Sequence, residues 1–259
     1  PRQSLVARLQ RIGPYAPFAI LYVSGLCLLS LSRSLLMLWQ SERVAATGIW
    51  GEMLLQGIRV DIIQLGLLAA PLLLLLPICC FAKGWRLWRG LGYFWIILSL
   101  TLLVFLEAAT PGFIAEYDSR PNRIFVEYLK YPNEVFAMLW TGFKIHLFAG
   151  IGAVILTVYG LSRFLRPLLT QERPQKHLSY LIAWPVIVFL CLLSIRSSVD
   201  HRPANPALFA LTSDSMVNSL IINSAWSVTH AIYGLRHENR SSEIYGAMPK
   251  EEIIEQWKL

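Results

Sequence analysis

Arg33, Arg59, Asp61, Glu107, Lys144, His146 and Arg196 lie inside, or at the edges of, long apolar runs of the chain. A charge in hydrocarbon costs a few kcal/mol on insertion scales, so such groups persist where they pair with one another or serve a ligand. Two kinds of chemistry suit this set. Arg with Asp or Glu forms charge-assisted pairs that tie helices together, and the fork of an Arg recognises the phosphate of a lipid headgroup. Arg33, Arg59, Asp61, Glu107 and Arg196 are therefore the candidates for holding a lipid or its headgroup. For Arg59, Lys144 and Arg196 the plainer alternative is that each long stem snorkels alone to the interface.

The elements that must position these groups are five apolar runs: Pro17 to Trp39, Gly57 to Ala82, Trp88 to Ala109, Phe143 to Leu165 and Tyr180 to Ile195. Most match the roughly 17–25 residues a helix needs to cross a bilayer. The expected fold is an all-α integral membrane protein with five transmembrane helices. One set of flanks carries Arg2, Arg8 and Arg11, then Lys83, Arg86 and Arg89, then Arg163, Arg166, Arg173 and Lys176. On the other side, Arg43, Arg120, Arg123 and Lys130 are diluted by Glu42, Glu52, Glu116, Asp118, Glu127 and Glu134. Positive charge is retained on the cytoplasmic side, which predicts a cytoplasmic N-terminus and an extracytoplasmic C-terminus. With that topology the intramembrane charges share one depth, near the outer leaflet, and shared depth predicts pairing among Arg33, Arg59, Asp61 and Glu107.

Composition agrees with a membrane class: hydrophobic residues make up 55% of the chain and charged residues 15%, and the mean hydropathy is +0.51. The net charge of +7 comes largely from the cytoplasmic flanks, so it suits anionic lipid rather than nucleic acid. Cys27, Cys79, Cys80 and Cys191 all fall in apolar runs, which indicates neither a disulfide framework nor a zinc site. There is no phosphate-cradling glycine loop, no nucleophile elbow and no histidine pair at metal-ligand spacing. His201, His230, Asp200 and Asp214 have no ligand spacing either. No catalytic residue and no metal ligand is assigned to this chain.

Two outer segments complete the reading. Residues 110–142 form an interfacial loop in which Ser119 caps a short helix with Pro121 in its first turn. Phe125, Val126, Tyr128 and Leu129 make its apolar side until Pro132 breaks the turn. A second helix, Glu134 to Trp140, presents Phe136, Leu139 and Trp140 to the headgroups. Residues 1–196 are thus a transmembrane domain, and 197–259 an extracytoplasmic helix and linker. In the latter, Asp214 caps one long amphipathic helix through Val217, Leu220, Ile221, Ser224, Val228, Ala231, Ile232 and Leu235. A sixth span is disfavoured, because Asn218, Asn223, Ser224, Thr229 and His230 would each need an internal partner. Arg236 to Ser242 and a charged helix near Lys250 to Lys258 read as a linker.

The run Gly57-Ile-Arg-Val-Asp61, the loop stretch Asp118 to Val135 and the segment Arg202-Pro-Ala-Asn-Pro-Ala-Leu-Phe-Ala210 resemble the membrane half of the lipoteichoic acid synthase and phosphoglycerol transferase family. That resemblance covers essentially the whole chain, and the loop stretch is its more specific part. It implies a bacterial cytoplasmic (inner) membrane protein whose linker leads to an extracytoplasmic, sulfatase-like catalytic domain. That domain, absent from this chain, would carry a threonine nucleophile and Mn or Mg. It implies phosphatidylglycerol as donor, with a polymer or a periplasmic glucan as acceptor. Asp118, Arg120, Asn122, Arg123, Glu127, Tyr128, Arg202 and Asn205 become candidates for docking that domain or positioning substrate. The alternative is a non-enzymatic regulator or assembly partner, with a separate catalytic polypeptide, that binds an outer-leaflet lipid.

Overall fold

A computed structural model describes residues 9, 12–79, 84–168, 177–198 and 204–245. Five of its helices are long and apolar enough to cross a membrane. They are α1 (Ala16–Trp39), α3 (Trp50–Cys79), α4 (Trp85–Tyr117), α7 (Lys144–Leu165) and α8 (His177–Arg196). Shorter helices α2 (Ser41–Thr47), α5 (Arg123–Tyr128), α6 (Pro132–Gly142) and α9 (Ser215–Ile221) and the amphiphilic α10 (Ser224–Tyr245) accompany them among the described residues. These features are those of a multi-pass membrane protein.

Helices α1, α3 and α4 pack on one another; α8 leans on α3, and α7 on α4. Their shared core is built from Leu21, Leu65, Leu72, Trp88 and Leu103, all nearly inaccessible. Pro77 within α3 lacks an N–H, which frees the carbonyl of Leu73 four residues earlier. Trp184 of α8 donates its indole N–H to that oxygen at 2.8 Å. A helix break that hydrocarbon would otherwise penalise is therefore closed by the neighbouring span.

Helices α3 and α4 are longer than the apolar runs suggested. At 30 and 33 residues they extend about 45–50 Å, against a hydrocarbon core of about 30 Å. The first part of the expected loop, residues 110–117, is the last two turns of α4 and runs through Pro111. Asp118 ends the helix in the left-handed region (φ 50°), a conformation that Asp tolerates better than most residues. Gly48 ends α2 in the same way, at φ 69°.

Two expectations about the caps are corrected. Helix α5 is capped by Asn122, whose side chain accepts from Ile124 N at 2.9 Å, and not by Ser119. Residues 118–121 form a bend that turns Arg120 inward, so the helix starts after it. The single amphipathic helix after Asp214 is in fact two. Asp214 does cap α9 through Met216 N and Val217 N, but the chain becomes extended at Ile222. Asn223 then opens α10 by accepting from Trp226 N at 2.8 Å. The charged segment near Lys250 to Lys258 lies outside the described residues.

A second apolar cluster occupies the end of the bundle where α3 and α4 overhang. Met216, Val217, Leu220 and Ile221 of α9 pack with Met37, Met53, Val60 and Ile114. Each of the four α9 side chains is fully covered, on the order of 1.5–3 kcal/mol apiece where the displaced solvent is water. The C-terminal segment is thus packed onto the bundle, at the end that also holds Arg33, Asp61 and Glu107.

Candidate functional site: the buried charges of one bundle end

Arg33 of α1 and Asp61 of α3 face each other with no exposure. The guanidinium grips the carboxylate in fork-to-fork fashion, Nη1 to Oδ2 at 2.8 Å and Nη2 to Oδ1 at 2.6 Å. Its remaining Nε donates to the Ile221 carbonyl at 3.1 Å, at the C-terminus of α9. A cation there satisfies one of the carbonyls a helix end leaves open. Asn223 Nδ2 donates to Asp61 Oδ1 at 3.0 Å from the start of α10. One ion pair therefore holds both sides of the α9–α10 elbow.

The second pair lies beside it. Glu107 of α4 takes Arg120 Nη1 on both oxygens, at 3.0 and 2.9 Å. It also accepts from the Ser32 hydroxyl and from Ser224 N at 3.0 Å. A carboxylate at the N-terminus of α10 satisfies one of its unpaired amides and faces the positive end of the helix dipole. Ser224 Oγ joins Arg120 Nη1 at 3.1 Å and Thr110 Oγ1 at 2.6 Å. Arg120 is 1% exposed and Glu107 7%. Depth along the helices groups Glu107 with Arg33, Arg59 and Asp61; the carboxylate instead takes its partner from the bend after α4.

At the rim, Arg43 of α2 clamps two segments. It binds Asp118 at 2.5 Å and Asp214 at 2.7 Å, and through them links the end of α4 to the start of α9. The guanidinium holds the Asp214 carboxyl below its usual range, helped by the Val217 and Met216 amides. A depressed carboxyl stabilises the fold above its unfolded pKa, about 3.9 for Asp, and that contribution fades as the pH falls through the lower folded value. Protection of the Met216 and Val217 amides against hydrogen exchange should therefore hold from neutrality to about pH 4 and drop below it. Asp214→Asn should lower it already at pH 7.

The other candidates are placed as follows. Arg59 donates to the Ser197 hydroxyl at 2.8 Å and to the Ser197 carbonyl, and stands 5.8 Å from the centre of the Phe209 ring. Arg196 donates to the Ser198 carbonyl at 2.9 Å. Arg123 pairs with Glu127 on the exposed side of α5, at 2.8 Å, and the Tyr128 hydroxyl meets that of Tyr117 at 2.8 Å. Asn205 caps the short turn Pro206–Phe209 through Leu208 N. Arg202, His201 and Asp200 lie outside the described residues. Among the described residues no three His, Cys, Asp or Glu side chains gather as a metal site.

Sequence reasoning gave Asn223, Ser224, Ser32 and Arg43 no part in this site. For Asn223 and Ser224 a signal existed, since adjacent Asn and Ser commonly start helices. Gly57 opens the second apolar run and the Gly57–Asp61 motif. A Cβ at that position would lie 2.6 Å from Arg33 Nη1 and closer to Nε and Cζ, so the glycine is the space in which the Arg33 fork sits. Gly57→Ala should cost about 1–3 kcal/mol, as overpacking does, because Arg33 cannot withdraw without leaving Asp61. The melting temperature of the purified protein measures it; an unchanged value would show that the fork adapts.

Chemically, the arrangement is a lock and not an acid–base pair. Each carboxylate takes both its oxygens into bonds with an arginine and accepts from at least one further donor, and the side chains that close the network come from α1, α3, α4, the bend after α4 and the elbow. Compared with known proteins, the chain matches no family model and no solved structure.

Proposed function

We propose that this chain is the membrane domain of a phosphoglycerol transferase of the lipoteichoic acid synthase kind, a platform that holds an extracytoplasmic catalytic domain against the membrane. The observation that carries this reading is the α9–α10 elbow, fastened to the spans by two buried ion pairs. A loosely tethered domain would need no such fastening. A domain that must meet a lipid headgroup at one height gains from it, because fixed placement raises the effective concentration of the reacting groups. On this reading the polar end faces the outside of a bacterial cytoplasmic membrane, and α10 leads to the catalytic domain, which brings Mn or Mg.

The candidate residues divide accordingly. Arg33, Asp61, Glu107, Arg120 and Asn122 are occupied within the platform, while Arg123, Glu127 and Tyr128 are presented on α5, where a docked domain would meet them. Phosphatidylglycerol is the expected donor, losing its phosphoglycerol to an acceptor hydroxyl and leaving diacylglycerol.

The test is the native reading frame with a transfer assay. Membranes bearing the full-length protein should release diacylglycerol from acyl-labelled phosphatidylglycerol when Mn2+ or Mg2+ is supplied, and Arg123→Ala should reduce transfer without lowering abundance. A native frame lacking a sulfatase-like domain, with no release, would leave a lipid-binding regulator in its place.

A further inference from the structure

Helix α7 packs along α4 but reaches the shared core at its C-terminal end. Leu161, Phe164 and Leu165 pack into the shared core, while a cleft of about 520 Å3 lies between its first half and the second half of α4. Helices α5 and α6 close the cleft on a third side, and its lining includes Ala109, Phe113, Leu139, Phe143, Gly150 and Val154. Its polar groups are the Tyr117 and Tyr128 hydroxyls, bonded to each other, and Glu116. The volume falls within the range of about 300–1,000 Å3 typical of ligand pockets.

We infer that this cleft is an acyl-chain site for a phospholipid of the surrounding bilayer. The cleft lies between stretches that count as membrane-crossing, Trp85–Tyr117 and Leu147–Leu165. It continues the exposed apolar surface of α7, including Phe148, Ile155 and Leu156, so the protein–lipid interface runs into it without a break. A molecule entering along that surface is a lipid chain. Charge at this end of α7 fits the rest of such a molecule: Lys144 follows the lining residue Phe143 in the chain, and its Nζ stands 5.7 Å from the centre of the Trp140 ring. This places a cation beside an interfacial aromatic, where a phosphodiester belongs. The inference deepens the proposed function, on which it rests for the identity of the lipid, but not for the presence of a chain.

Gly150 makes the site testable, because a Cβ there meets no atom within 4 Å. Gly150→Phe should fill the cleft without disturbing the helix. Gly160 has the same open surroundings and lies outside the cleft lining, so Gly160→Phe is the control. The full chain is placed in nanodiscs containing phosphatidylglycerol or phosphatidylcholine with a diazirine near the end of one acyl chain, irradiated, and the adducts mapped by mass spectrometry. Adducts should concentrate on the cleft residues of α4, α6 and α7, fall at least tenfold in Gly150→Phe and persist in Gly160→Phe. If both lipids label the cleft equally, the acyl site stands and the headgroup-selective donor reading fails. Adducts spread evenly around the bundle, equal loss in both variants, or cross-links at the cleft to a second copy or to another part of the chain would each overturn the inference.

Discussion

Asp61→Leu should destabilise the bundle by about 3–5 kcal/mol, the usual cost of removing one partner of a buried pair. Arg33 would keep its full charge at 0% exposure, with the Ile221 carbonyl left to receive it among the described residues. Asn223 would lose its acceptor at the same time, so the elbow should loosen before the spans separate. The cost comes from the stranded charge and not from the loss of attraction, and a second substitution separates the two. Arg33→Met combined with Asp61→Leu removes both charges from an apolar setting and should recover most of the lost stability. Unfolding midpoints of the wild type, the two single variants and the double variant in one detergent complete the cycle. A double variant no more stable than Asp61→Leu would mean that the pair is not the unit that matters.

Glu107→Gln should have an effect of similar size with a different local signature. The amide oxygen, standing in for Oε1, can still accept from Ser224 N, but the NH2 that replaces Oε2 meets the donor of Arg120 and no longer accepts from Ser32, and the guanidinium loses the counter-charge that Glu107 supplies. Arg120 Nε and Nη2 already lack a protein partner among the described residues, so the neutral amide oxygen and the Ser224 hydroxyl, both on Nη1, would be left to receive the charge. A loss of about 3–5 kcal/mol follows from the same rule for buried pairs. The bend at 118–121 should open and expose the start of α5. Trypsin cleavage after Arg123 is the sensitive readout, with faster exchange of the Ser224 amide as its companion. Glu107→Gln with Arg120→Gln should restore protection at both places, as neutral amides can satisfy each other. Wild-type cleavage rates in the single variant would remove the lock from this end of the bundle.

How far the sequence carried can be judged from particular residues. Five spanning helices were readable because hydrocarbon demands uninterrupted apolar length and leaves that demand in composition. Their real extents were not, since an apolar run records the stretch suited to lipid, whereas a helix continues until a cap or a bend stops it. Hence α4 passes Ala109 and Pro111 and stops at Asp118. The Asp214 cap was readable because it uses residues two and three positions away. The break at Ile222 was not, because Val217 to Leu235 keep helical periodicity across it. The acyl cleft left no separate signal, as its lining residues are the same types that face lipid elsewhere.

Pairing shows the division most clearly. Depth along a helix is a linear quantity, so sequence position alone brought Arg33 and Asp61 to one level, and the structure joins them. Direction around a helix axis, and the return of distant chain to the same level, are not linear quantities. Glu107 shares the depth of Arg33 but finds Arg120, 13 residues on, and Ser224, 117 residues on. Sequence by itself determined that this chain has five helices long and apolar enough to cross a membrane and brings the charges within those runs to one level, because transfer into hydrocarbon is paid residue by residue. Only the tertiary structure decided which charge meets which and that the α9–α10 elbow closes over them, because neutralising a buried charge depends on a few ångströms of three-dimensional placement between segments far apart in the chain.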